Sequence, residues 1–103
     1  MQIINSLFLG LGLASGIQAA SIYVAHFTFE GGPASYPLDV PTDGNAHATG
    51  NALSISIIDT PAGYDAFKYC TFKTQNPATL VAEGDKIVVG PPTPVLSVTC
   101  KAH

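Results

Sequence analysis

Three histidines, seven carboxylates and two cysteines are the side chains of this 103-residue chain suited to acid–base, metal or redox chemistry. His26 and Asp39 flank Gly31-Gly32-Pro33, a turn that would lay them side by side and let the carboxylate orient the imidazole. A nucleophile for that pair would have to be Ser35, Ser54, Ser56 or Ser97, and none stands in a nucleophile-elbow pattern. The simpler reading is a strand histidine beside an outward aspartate, and no catalytic residue is assigned.

Glycoside hydrolysis needs two carboxylates, which need not be close in sequence; Asp39 with Asp59, or Asp43 with Asp59, are the pairs to inspect. A domain this small spends most inward positions on its own core, which leaves little room for a substrate cleft. His26, His47 and one acid lack the short ligand spacing of a zinc site. Glu83-Gly84-Asp85 has the look of a calcium-loop fragment without the remaining ligands and reads as a hairpin turn. No metal or cofactor is expected.

Cys70 and Cys100 are the only cysteines. The residues between them rule against a C-x-x-C redox motif, and two thiolates do not complete a structural zinc site. In an oxidising compartment they pair with each other, closing a loop of about 30 residues and stabilising the fold by roughly 3–4 kcal/mol.

That compartment is read from the start of the chain. Ser6–Ser15 is apolar and ends in Gly16-Ile17-Gln18-Ala19, a run too short to span a bilayer but suited to a signal peptide. No Lys or Arg precedes it, a departure from the usual pattern. Residues 1–19 are expected to be removed, leaving 20–103 as a single secreted domain. No Asn-x-Ser/Thr sequon occurs. Four lysines, no arginine and a net charge of −3 argue against a nucleic-acid partner or an anionic membrane.

The elements that must position these groups are strands, because apolar and polar residues alternate with a period of two and nowhere with helical spacing. Ser21–Glu30 places Tyr23, Ala25, Phe27 and Phe29 on one side; it is apolar on both faces at its start and is expected to emerge into solvent at His26–Glu30. Ser35–Pro41 follows with Tyr36, Leu38 and Val40 together, Pro37 marking an edge or a bulge. Thr42–Gly50 is a polar connection. Ala52–Ile58 points Leu53, Ile55 and Ile57 inward, Gly63–Lys68 allows a short helical turn, and Tyr69–Thr74, Thr79–Ala82 and Lys86–Val89 are strands. Gly90–Pro94 should stop regular pairing for lack of amides. Val95–Lys101 then aligns Leu96, Val98 and Cys100 on one face. The expected fold is all-β, a compact antiparallel barrel or sandwich with one disulfide.

The candidate binding residues are Tyr64, Phe67, Lys68 and Tyr69, an aromatic cluster beside a lysine in a segment that need not be regular. Its aromatics serve either as a protein- or glycan-contacting surface or, for Phe67 in particular, as a plug at the base of the barrel.

The segment VAHFTFEGGPASYPLDVPTDG, the CTF of Cys70–Phe72 and the terminal VGPPTPVLSVTC resemble the small secreted proteins of filamentous ascomycetes, in particular the group containing hypersensitive-response-inducing elicitors and effector-like proteins. Phe27, Phe29, Tyr36, Leu38, Pro41, Asp43 and Gly44 carry the front of the resemblance. Cys70, Phe72, Val89, Gly90, Pro91, Pro92, Val98 and Cys100 carry the back. Thr93-Pro94 departs from the Gln that often follows the two prolines. These are scaffold positions, and the resemblance brings no active-site signature with it. It implies a small β-barrel acting at the host–fungus boundary, provoking or suppressing plant defence, or in colonisation of other substrates; the expected partner is a host protein or a cell-wall glycan in the host apoplast, and the expected state a monomer or weak homodimer. The competing classes are a small hydrolase of wall polysaccharide and an antimicrobial or toxin protein, the latter at odds with the acidic balance.

Overall fold

The computed structural model describes residues 22–102, so the expected signal peptide at 1–19 lies outside the described residues. The described chain forms β1 (Val24–Gly31), β2 (Ala34–Pro41), β3 (Asp43–Ala48), β4 (Ser54–Asp59), a single helical turn α1 (Ala66–Tyr69), β5 (Cys70–Thr74), β6 (Thr79–Glu83) and β7 (Lys86–Lys101). Every pairing is antiparallel, in the order β2-β1-β4-β7-β3, with β5 and β6 also on β7. The sheet curls until it nearly closes into a half-barrel, an all-β fold with one disulfide as expected.

β7 is the spine. Its first half, to Gly90, pairs with β4 and β6, whereas its second half pairs mainly with β3 and β5. The Gly90–Pro94 stretch does not end the strand, contrary to the reading from its missing amides. Pro91 and Pro92 fall where β7 has no partner in register on either side, so their absent N–H groups leave no bond unmade. Here Thr93 is buried, and its Oγ1 accepts a hydrogen bond from the Asn76 amide at 3.0 Å.

Ala25, Phe27 and Phe29 of β1, Val40 of β2, Ile55 and Ile58 of β4, and Ile87, Val89, Val95, Val98 and Cys100 of β7 form most of the core. Phe72 reaches it edge-on, its ring 5.6 Å from that of Phe27. Burying a large apolar side chain fully is worth about 1.5–3 kcal/mol, so β1 is a principal anchor of the fold. This reverses the expectation for its two ends: Phe27 and Phe29 near Glu30 are buried, while Ile22 and Tyr23 before the strand are exposed.

Two bulges explain the residues whose facing differs from simple alternation. Between Ile55 and Ile57 the β4–β7 register shifts, so Ile58 turns inward and Ile57 does not reach the core. Between Lys73↔Ser97 and Thr74↔Val95, β7 holds one extra residue, Leu96. Leu96 is therefore 42% exposed while Val95 and Val98 are buried. Thr42–Gly50 is also more ordered than a polar connection, because β3 within it pairs with β7. Gly31 is required where β1 passes β4: a Cβ there would run into the Ser54 carbonyl oxygen and stand 2.9 Å from Leu53 Cγ.

Candidate functional site

The short loop after β4 brings the aromatic segment onto the end of the sheet. Asp65 caps α1, its Oδ1 accepting from the Lys68 amide at 3.2 Å, and Ala66 is buried beneath the turn. The turn separates the candidate binding residues. Tyr64 is 5% exposed, and its hydroxyl donates to the Lys101 carbonyl at 2.5 Å. Its ring lies between Tyr23, at 5.2 Å, and Tyr69, at 5.8 Å. Burial holds the Tyr64 phenol above its ordinary pKa, with the nearby Tyr23 and Tyr69 adding to the effect. Tyr64 is thus a core residue, whereas Phe67, the expected plug, is 49% exposed. Lys68 is exposed too, its Nζ 5.3 Å from the centre of the half-buried Tyr69 ring.

Phe67 borders a groove of about 310 Å³ that is lined also by Cys70, Thr71, Phe72 and Leu80. Successive strand residues point to opposite faces, so a groove lined by Cys70, Thr71 and Phe72 together runs along the edge of β5. The sequence had no way to announce Thr71 and Leu80 as its walls; they meet only because β5 and β6 both pair with β7. The disulfide fixes this edge. Cys70 and Cys100 are directly opposed in the β5–β7 ladder, with Cα atoms 4.1 Å apart and Cys100 fully buried.

The polar pairs lie elsewhere. His26 and Asp39 are register partners on β1 and β2, and His26 Nδ1 donates to Asp39 Oδ1 at 2.6 Å. Both side chains are about two-thirds exposed, at 70% and 66%. Ser35 pairs with Glu30, four positions along the hairpin, roughly 13 Å away at the rise of a strand. The Ser56 hydroxyl is turned to the Glu30 carbonyl, while Ser54 and Ser97 sit opposite Pro94 and Ala48. None of these hydroxyls is placed on the imidazole. His47 Nε2 donates to both Asp43 oxygens, at 3.0 and 3.2 Å. The Asn45 amide, then this imidazole, hold the Asp43 carboxyl below its ordinary pKa.

Asp59 does not converge with either proposed partner. It lies beside Glu30, and a hydrogen bond between the two carboxyl groups is the main cause of the raised Glu30 pKa. Asp39 is two strands away from Asp59, a lateral distance of about 9.5 Å before their offset along the strands is added. Among the described residues, no three His, Cys, Asp or Glu side chains gather to hold a metal ion.

The arrangement offers an exposed aromatic ring and a cationic group beside a partly apolar groove on a covalently braced edge. The chain matches no protein-family model, no curated protein and no solved structure.

Proposed function

We propose that the chain is a secreted, non-enzymatic binding protein that acts at a fungus–host boundary, as an effector or elicitor, by engaging a host protein or a cell-wall component. The observation that carries this reading is the exposed Phe67 standing over the Cys70–Leu80 groove with Lys68 alongside. An aromatic ring held at a rigid, half-apolar surface is the usual centre of an interface, and its truncation removes binding without disturbing the core. The secretory and fungal parts rest on the apolar leader and on the resemblance of the scaffold positions.

The test is infiltration of the disulfide-intact protein into leaves at matched doses, together with capture of bound host or wall components. Phe67→Ala is expected to weaken both response and capture while leaving Tm unchanged. Equal activity of Phe67→Ala would reject this surface, and neither response nor captured component with the native protein would reject the function.

A further inference from the structure

The short Cα–Cα distance of the Cys70–Cys100 pair, 4.1 Å, identifies it as a non-hydrogen-bonded pair of the antiparallel ladder. The pattern alternates, so Thr71 and Lys73 bond to β7 while Cys70 and Phe72 turn their N–H and C=O groups away from it. The Cys70 amide is used by the Ala66 carbonyl at the end of α1. The Cys70 carbonyl and both main-chain groups of Phe72 face outward along β5, and the groove follows the same edge.

The edge at the far side of the sheet is treated differently. β2, the outer strand beside β1, carries Pro37 and Pro41, which cannot donate to a further strand. β5 has no proline. It has Lys73, and between Asp65 and Glu83 the chain carries Lys68 and Lys73 and no acid, although the whole protein is acidic. A lysine on an edge opposes pairing with a second copy of the same strand, by like charge, and favours a strand of opposite sign.

We propose that β5 is a docking edge for an extended acidic peptide segment of a partner protein, which adds as a further strand and fills the groove with an apolar side chain. This deepens the binding function above and rests on it. The alternation of β5 sets the alternation of the partner. Phe72 and Cys70 face the core side and call for apolar residues, whereas Thr71 and Lys73 face outward and call for carboxylates. Main-chain bonds from Phe72 supply pairing, and the Phe67–Phe72–Leu80 groove selects the side chain.

The experiment is an NMR titration of the ¹⁵N-labelled, disulfide-intact protein with blocked seven-residue peptides alternating Glu and Val around a central Leu, up to about 1 mM, the weak limit of useful affinity. The expected result is shift changes concentrated on Cys70–Thr74 and about tenfold slower exchange of the Phe72 amide. Alternate N-methylation of the peptide backbone, or replacement of its Glu residues by Lys, is expected to weaken binding about tenfold. A Lys73→Glu protein should reverse the preference between the Glu and Lys peptides.

Equal binding of the N-methylated peptide would overturn strand addition. So would the absence of any β5 response to the alternating peptides while the protein still captures a host or wall component, an outcome that leaves the binding function standing. Loss of capture in the native protein, by contrast, would remove that function itself.

Discussion

The two halves of the half-barrel are held by different means. The region of β1, β2, β4 and the first half of β7 is filled by Phe27, Phe29, Ile55, Ile58 and Ile87. The region of α1, β5 and the second half of β7 has a half-buried strand whose place is secured by the Cys70–Cys100 bond and by the Tyr64 hydroxyl on Lys101. Side-chain volume dominates the first, whereas in the second covalent and polar ties add to the burial of Val95, Val98 and Ala66. The edge that carries the candidate site thus lies on a strand with no fully buried residue of its own.

The largest test of this contrast is Phe29→Ala, which removes a fully buried ring stacked against Tyr36 at 5.1 Å. A loss of about 3–5 kcal/mol in chemical denaturation is expected, spread over the whole domain. The double variant Cys70→Ala/Cys100→Ala should cost roughly 3–4 kcal/mol. In hydrogen exchange its amides in β5 should lose protection before those of β1. Equal loss in both strands would erase the distinction.

Tyr64→Phe removes only the hydroxyl that reaches Lys101 and is expected to cost about 1 kcal/mol, measurable as a lower denaturation midpoint with unchanged slope. The smallest effects concern two carboxylates with opposite signs. Glu30 has its pKa raised, first by the hydrogen bond to Asp59. Its favourable contribution is complete below the unfolded value, near 4.3, and is lost as pH rises through the folded one. Glu30→Gln should therefore raise Tm at pH 7, and the difference should shrink towards pH 4.

Asp43 has its pKa lowered, first by the Asn45 amide and then by His47. Its contribution is present above the unfolded value, near 3.9, and is lost as pH falls through the lower folded one. Asp43→Asn should lower Tm at pH 7 and converge with the native protein in acid. Thermal melts across that range check both signs.

Much of this fold was legible because alternation put Phe27 with Phe29 and Tyr36 with Leu38 and Val40, and Gly31-Gly32-Pro33 placed His26 opposite Asp39; which end of β1 is covered was not. The Cys70–Cys100 pairing followed from there being only two cysteines. What escaped were the bulges. Extra residues in one strand, one (Leu96) opposite β5 and three in β7 opposite β4, leave no mark in a single sequence, yet they moved Ile57 out of the core, Ile58 into it and Leu96 towards solvent. The same limit applied to the site. Tyr64 and Phe67 look alike in sequence, and their exchange of roles depends on a capped turn that directs Ala66 inward, and Phe67 out. Thr71 and Leu80 join the groove through pairings distant in the chain, so no local pattern marked them.

Among the described residues, β7 takes part in four of the six ladders. Of these ladders, a polypeptide made from its N-terminus can form β1–β2 and β1–β4 before Lys86 has emerged, and the other four wait for β7. Long-range pairing of this kind folds slowly. The β1–β2–β4 layer can therefore pair early, whereas β3, β5 and β6 acquire their ladders only once β7 is present to receive them.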